Sequence, residues 1–143
     1  MDYKQLTAPC GMDCFNCEIF ADNITDEMRM RIAPYLNKDP KDFHCQGCRI
    51  SGCLLIPGEC ATKKCVESKG HEFCSDCDLF PCGKLQPCSD QANRLPHNYK
   101  LFNLCRIKAI GIDGWVKEAK SIRETYYHGK MAIGAGPSLK NKE

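Results

Sequence analysis

The feature that most constrains this chain is its thirteen cysteines, about 9% of its 143 residues. Without them, only about a third of the residues are apolar, which is little for a conventional core at this length. Cysteine at this density usually stabilises a protein through cross-links or bound metals. The composition therefore excludes an ordinary hydrophobic α/β enzyme domain and a disordered tail protein, and it predicts a small domain that depends on its cysteines.

The sequence favours metal ligation over disulfides. The N-terminal residues lack a basic region followed by an apolar stretch, so we expect no signal peptide. The longest apolar run has four residues, at 53–56, whereas a membrane-spanning helix needs about 20. We therefore expect a cytoplasmic protein whose thiols stay reduced. An odd number of cysteines also fits a disulfide framework poorly.

Three C-x-x-C pairs have the spacing of zinc knuckles. The pairs are Cys14 with Cys17, Cys45 with Cys48, and Cys74 with Cys77. A knuckle needs a tight turn that brings two sulfur atoms to one metal and points backbone amides at them. The third residues of the pairs, Asn16, Gly47 and Asp76, are types that tolerate a left-handed backbone. The second and third pairs are both followed by another cysteine after four residues, which suggests a weak internal repeat.

Further cysteines complete the predicted ligand set. The predicted ligands are Cys10, Cys14, Cys17, Cys45, Cys48, Cys60, Cys65, Cys74, Cys77 and Cys82. His71 could replace one thiolate, and the remaining cysteines, Cys53, Cys88 and Cys105, are predicted not to bind metal. We expect two Zn²⁺ ions per chain, with one or three as the alternative counts. One ion is assigned to Cys45, Cys48, Cys60 and Cys65 and the other to Cys14, Cys17, Cys74 and Cys77. Cys10 and Cys82 remain alternatives for the second ion.

An iron–sulfur cluster is the alternative cofactor. The run Cys10, Cys14, Cys17 has the spacing of the radical-SAM motif, and three thiolates can hold such a cluster. The chain is short for that fold and has no Gly-Gly pair for its companion motif. A redox C-x-x-C of the thioredoxin type would need a βαβ pattern that the sequence lacks. Zinc therefore remains the expected metal.

The pattern predicts a small metal-stabilised fold, mainly α-helix and loop, with zinc knuckles followed by C-terminal helices. We divide the chain into one zinc-organised domain over 1–125, with a metal-binding part at 8–97 and a helical part at 98–125, and a flexible basic tail at 126–143. Residues 37–97 contain five of the eight prolines and no clear periodicity. A loop region of that length needs something else to organise it, and metal is the obvious candidate.

Three segments have helical periodicity. In the first, Thr25 is the predicted N-cap and Pro34 is expected to end or kink the helix. Its apolar face consists of Met28, Ile32, Tyr35 and Leu36. In the second, the predicted apolar face consists of Leu101, Phe102, Leu104, Cys105 and Ala109, with Asn103 and Arg106 opposite. The third begins at Asp113, and its face consists of Trp115, Ala119, Ile122 and Tyr126.

The charge distribution gives little support to nucleic-acid binding. The net charge is +2, and eight thiolates around two Zn²⁺ ions would change it to about −2. Only the last third of the chain has a basic excess, which we interpret as a solvated helix face. We therefore expect a protein partner, with nucleic acid possible but not favoured and no membrane association.

The order of the cysteine motifs resembles that of a known family. Cys-Gly-Met-Asp-Cys-Phe-Asn-Cys at 10–17, Cys-Gln-Gly-Cys at 45–48 and Cys-Ser-Asp-Cys-Asp-Leu-Phe-Pro-Cys-Gly-Lys-Leu at 74–85 are similar to domain of unknown function 3795. The resemblance extends over roughly residues 8–119. It implies a cysteine-rich, zinc-binding protein of prokaryotic origin, and it implies no reaction.

The functional prediction is a structural-zinc interaction module rather than an enzyme. Catalytic zinc usually has histidine or carboxylate ligands and a bound water, and the sequence has no H-E-x-x-H or H-x-E…P-C-x-x-C pattern. The alternatives are a redox or catalytic metal–thiolate protein, with an iron–sulfur cluster or a reactive cysteine, and a protein that stores or senses metal.

Overall fold

The structure is a computed structural model that describes residues 1–54, 58–82, 85, 97–132 and 135–138. Within these residues the chain forms four α-helices, four short 3-10 helices and one antiparallel pair of strands. The α-helices are α1 (Asp26–Ile32), α2 (Cys48–Ser51), α3 (Ala61–Ser68) and α4 (His97–His128). The 3-10 helices are Cys14–Asn16, Ala33–Leu36, Pro40–Asp42 and Cys74–Asp76, and the strands are β1 (Lys130–Ala132) and β2 (Ala135–Ser138). The prediction of a mainly helical and loop fold is confirmed.

Local sequence signals set the limits of α1. The Thr25 side chain accepts a hydrogen bond of 3.1 Å from the Met28 amide, which is the predicted N-cap. The α-helix ends at Ile32, and Pro34 lies in the first turn of the 3-10 helix that follows. Tyr35 is 85% exposed, contrary to its predicted place on the apolar face. After Ile32 the 3-10 helix has fewer residues per turn than an α-helix, so Tyr35 points to solvent instead of continuing the apolar face.

α4 folds back on itself at Gly111, where the backbone has φ 72° and ψ 170°. Arg106 bonds to Glu118 at 2.6 Å, and the Trp115 indole donates to Asn103 at 3.3 Å. Residues twelve positions apart would be separated by about 18 Å along a continuous helix. The two halves of α4 therefore run antiparallel as a helical hairpin, in agreement with the two separate helices predicted there.

The predicted apolar face of the first half of α4 is correct at Leu104 and wrong at Phe102 and Cys105. Phe102 is 52% exposed and Cys105 is also exposed. The buried face instead contains Tyr99, Asn103, Leu104 and Ile107. The Asn103 side chain is buried because it hydrogen-bonds to the Gly11 carbonyl and the Trp115 indole. A pattern that places every polar residue on the exposed face does not predict this.

Two apolar clusters make the core. The larger joins the cysteine-rich part to α4 and contains Phe73, Leu85, Leu104, Ile107, Trp115 and Ala119. The smaller lies under α1 and contains Ile19, Ala33 and Phe43. The Trp115 ring also meets the Phe15 ring edge-on, with 5.9 Å between the ring centroids. The cysteine-rich segment and the C-terminal helices therefore share the larger cluster.

The segment predicted as a tail contains secondary structure. α4 continues to His128, three residues beyond the predicted boundary, and β1 pairs with β2. Lys130 lies opposite Ser138 and Ala132 opposite Ala135. The division of the chain into a metal-binding part and a helical part stays a prediction. In the described part of the chain, no helix combines the length and apolar character that crossing a bilayer requires.

Candidate metal centre

A buried ion pair anchors the loop that carries the first three cysteines. Asp13 is fully buried, and one of its carboxylate oxygens accepts a hydrogen bond of 2.9 Å from Arg123 in α4. Burial raises the pKa of Asp13, and the Arg123 guanidinium partly opposes that rise. Arg123 also donates to Glu18 at 2.5 Å and lies over the Tyr127 ring. The second half of α4 thereby fixes the position of the loop.

The first half of α4 holds the same loop at Gly11. The Asn103 side chain donates a hydrogen bond of 2.8 Å to the Gly11 carbonyl. Gly11 has φ +85°, and a Cβ atom built there would lie 2.9 Å from both the Leu104 side chain and the Lys100 carbonyl. Only glycine therefore fits this approach of loop to helix.

The three C-x-x-C pairs adopt two different turns. Cys14 and Cys74 each begin a 3-10 helix, and the amide of the second cysteine of each pair donates to the carbonyl of the first. The pair at 45–48 instead passes through Gly47 with φ +94° and enters α2. The structural likeness is therefore between the first and third pairs, not between the second and third as the spacing suggested.

The left-handed backbone expected at the third residue of each pair occurs only at Gly47 among these three positions. Asn16 and Asp76 complete 3-10 turns and use their side chains instead. Asn16 donates to the Asp13 carboxylate at 3.1 Å, and Asp76 accepts from the Phe73 amide at 2.8 Å. These side chains stabilise the turn locally, so a positive φ is not needed.

Backbone amides point at several of the sulfur atoms. The amides of Met12, Ile19 and Leu79 donate to the thiols of Cys10, Cys17 and Cys77, in each case two residues earlier. The Cys48 amide lies 3.5 Å from the Cys14 sulfur. Amides arranged in this way stabilise thiolates, as a zinc knuckle requires.

One group of thiols, the inner thiol cluster, lies where α2 meets the N-terminal loop. Its members are Cys10, Cys14, Cys48, Cys53 and Cys60, which are close enough for their charges to interact. Burial raises the pKa of Cys14 and of Cys48 to about 12, and the neighbouring thiols add to the rise. Cys53 was predicted not to bind metal, and that prediction stays untested, although its thiol lies near those of Cys10 and Cys48. Its spacing after Cys48 repeats that of Cys82 after Cys77, which was a signal for its placement.

A second group, the pocket thiol cluster, lines a cavity of about 480 Å³. Its members are Cys65, Cys74, Cys77 and Cys82, and His71 lines the same cavity. Burial raises the pKa of Cys74 to about 12, and the nearby thiols of Cys10 and of the pocket contribute. The Lys69 ammonium lies 3.3 Å from the Cys77 sulfur. The Leu79 amide and Lys69 lower the pKa of Cys77.

The remaining predicted ligands form a pair beside the inner thiol cluster. The thiols of Cys17 and Cys45 interact electrostatically, and Arg123 is near Cys17. The backbone joins the two segments, since the Ala21 amide donates to the Cys45 carbonyl at 2.8 Å. The first and second C-x-x-C pairs therefore face each other.

These neighbours differ from the predicted pairing. Cys65 lies with the third C-x-x-C pair rather than with the second, and Cys14 lies beside Cys48 rather than beside the third pair. Contacts between segments far apart in the sequence set these neighbours, as where the Cys48 amide meets the Cys14 sulfur. Cys105 is exposed, and Cys88 lies outside the described residues. His44 and His128 are exposed, and the side chain of His97 is likewise not described.

The thiols lie near one another without forming a ligand shell. Across 1–54, 58–82, 85, 97–132 and 135–138, no three Cys, His, Asp or Glu side chains converge closely enough to hold a metal ion. The donor chemistry of the cavity nevertheless fits zinc, because its described lining offers four thiols and an imidazole and no carboxylate. Zn–S bonds of about 2.3 Å would require these side chains to rotate towards a common centre.

The family whose model matches the chain is described as a protein of unknown function, DUF3795, and the match extends over residues 6–87. This span is more than half of the chain, includes all ten predicted ligands and ends before α4. Neither the search of curated proteins nor the search of solved structures found a match.

Proposed function

The chain belongs to the DUF3795 family of proteins of unknown function, and on that premise we propose that it is a zinc-binding protein whose metal sites organise an interaction module. The observation that supports this proposal is the grouping of nine thiols into two neighbouring clusters. Each cluster supplies at least the four ligands that one tetrahedral zinc ion takes. Two Zn²⁺ ions per chain follow, one in each cluster.

The inner thiol cluster would use Cys10, Cys14, Cys48 and Cys60, with Cys53 and the pair of Cys17 and Cys45 as adjoining donors. The pocket thiol cluster would use its four cysteines, with His71 as the substitute for one of them. Zinc bound by four ligands from the protein has no open position for a substrate. The role we propose is therefore structural, with function on the protein surface and a protein as partner.

Nearby cations would offset the charge of the thiolates. Four thiolates around one Zn²⁺ carry a net charge of about −2. Lys100 is buried close to Cys10, and the Lys63 ammonium lies near Cys48 and donates to its carbonyl at 3.1 Å. Lys69 has the same role at Cys77. Each cluster therefore has at least one lysine placed to reduce the electrostatic cost of binding metal as thiolates.

Elemental analysis of anaerobically purified protein, with a visible spectrum, tests the proposal. We expect two equivalents of zinc and a colourless protein. A brown protein with stoichiometric iron and sulfide would instead support the iron–sulfur alternative and contradict a zinc module.

Two cysteine variants locate the sites. Cys48→Ser should lower the zinc content by one equivalent, because a ligand thiolate carries both charge and a bond to the metal. Cys105→Ser is the matched control, since Cys105 is exposed on α4 and should retain two equivalents. Loss of zinc from the Cys105 variant with full retention in the Cys48 variant would overturn the ligand assignment.

A further inference from the structure

We infer that the two clusters hold zinc with different kinetics: the pocket thiol cluster is an exchangeable zinc site that passes its ion to an external thiol or chelating ligand, and Lys69 promotes that release. The inner thiol cluster retains its ion. This inference rests on the proposed zinc function and deepens it, because it adds metal exchange to a structural role.

Access distinguishes the two clusters. Cys48 is buried. The side chain of the next residue, Arg49, donates hydrogen bonds to the Thr7 carbonyl at 2.8 Å and to the Glu72 carbonyl at 2.7 Å. The pocket thiols instead face a cavity of about 480 Å³, and Leu79 on its wall is 68% exposed. An incoming ligand can therefore reach a metal in the pocket through this cavity, whereas Cys48 of the inner thiol cluster is buried beside Arg49.

The exchange step needs such an approach. Zinc can expand from four ligands to five, so a bond from zinc to the incoming thiolate forms before the bond to a protein thiolate breaks. No electrons are transferred, and zinc remains Zn²⁺ throughout. The protein thiolate that leaves either keeps its charge beside a cation or takes a proton from water.

Lys69 singles out Cys77 as the thiolate that leaves. Lys69 follows the last residue of α3, and its ammonium lies 3.3 Å from the Cys77 sulfur. A hydrogen bond from an ammonium group draws electron density away from the sulfur and stabilises the released thiolate. The Zn–S bond to Cys77 is thereby weakened relative to the bonds from the other three cysteines. Lys69 is a positioning residue that acts through Cys77.

Stopped-flow metal transfer tests the kinetic difference. Zinc-loaded full-length protein is mixed with excess 4-(2-pyridylazo)resorcinol, and absorbance of the zinc–dye complex is followed. We expect two phases of one equivalent each, separated by at least about tenfold in rate, which corresponds to roughly 1.4 kcal/mol in activation free energy. Cys77→Ser should remove the fast phase, and Cys48→Ser should remove the slow phase.

Lys69→Met tests the role of the lysine, because it keeps an unbranched side chain as far as the ε position and removes the donor. We expect a fast phase slowed several-fold, with the slow phase and the zinc content unchanged, and recovery of the fast rate in Lys69→Arg. Lys64→Met is the matched control, since Lys64 lies in α3 but bonds to Glu59 at 2.8 Å instead of a thiol. An unchanged or faster release in Lys69→Met would overturn the role of Lys69.

The outcomes separate this inference from the proposed function. Two equivalents of zinc that leave in a single phase would overturn the kinetic difference and leave zinc binding intact. A protein that contains no zinc as purified and takes up none when Zn²⁺ is added would overturn the proposed function itself.

Discussion

At the scale of single residues, buried polar side chains join segments that are far apart in the sequence. Arg123 is only 6% exposed and bonds to an aspartate 110 positions earlier. The charge pattern predicts that the basic residues of the C-terminal region form a solvated face, and for Arg123 that prediction is wrong. A sequence shows a charge but not the partner that folding brings to it, so the buried pair could not be predicted.

Replacing Arg123 should be strongly destabilising. Arg123→Leu leaves the fully buried Asp13 without its cation, and loss of one partner of a buried pair costs about 3–5 kcal/mol. Urea unfolding of the zinc-loaded protein measures the change. Lys120→Leu, an exposed position three residues earlier on α4, is the control, and equal effects of the two substitutions would show that the ion pair does not stabilise the fold.

Replacing Asn103, a buried and uncharged side chain, should also destabilise the protein. Asn103→Ala removes the donor to the Gly11 carbonyl and the acceptor of the Trp115 indole. Each buried group left without a partner costs about 1–3 kcal/mol, so we expect at least that loss of unfolding free energy. Cys105→Ala, on the exposed side of the same helix, should change it by about 0.5 kcal/mol or less. A neutral Asn103→Ala would contradict the contact between loop and helix.

At the scale of elements, the helical hairpin of α4 is the part on which the cysteine loops pack. It contacts the 3-10 helices Cys14–Asn16 and Cys74–Asp76, which begin the first and third C-x-x-C pairs. Its division into two helices was predictable from neighbouring residues, as were the Thr25 cap and the end of α1 before Pro34, whereas its C-terminal end at His128 lies beyond the predicted boundary. Its buried face was not, because burial of Asn103 depends on a loop some ninety positions away.

The turn of the hairpin depends on glycine at position 111. Its φ of 72° with ψ of 170° is a conformation open almost only to glycine, although no atom lies within 4 Å of the place a Cβ would take. Gly111→Ala should therefore cost about 1–3 kcal/mol from backbone strain alone. Ser121→Ala, at an exposed position of α4, should have little effect. Denaturant unfolding followed by circular dichroism compares them, and an equally stable Gly111 variant would show that the chain turns differently.

At the scale of the whole molecule, composition and periodicity predicted the mainly helical and loop fold, and the resemblance of the cysteine motifs identified the family. Neither predicted the grouping of the thiols. Spacing identifies which cysteines share a tight turn, as at 14–17 and 74–77. It does not determine which turns meet, because that depends on the packing of both against α4. The zinc ions and their number remain predictions.

Removal of metal should unfold the cysteine-rich part. Structural zinc contributes about 10–16 kcal/mol in small peptides, more than many domains have as net stability. Chelation under reducing conditions should abolish the dispersed amide signals of residues 8–82. The single tryptophan, Trp115, should also shift its emission to longer wavelength, since it packs on Phe15 in the core. Unchanged spectra of a verified metal-free sample would contradict metal-dependent folding.

The larger core cluster has a consequence for how this protein can be divided. The family match ends at residue 87, yet Leu104, Ile107, Trp115 and Ala119 all lie beyond it and cover Phe73 and Leu85. A fragment cut at that boundary would keep every proposed ligand and expose the apolar surface beneath α4 to water. The segment that contains the proposed ligands is therefore not expected to fold independently. Grafting it into another protein would also require the helical hairpin, or another apolar surface that packs on Phe73 and Leu85.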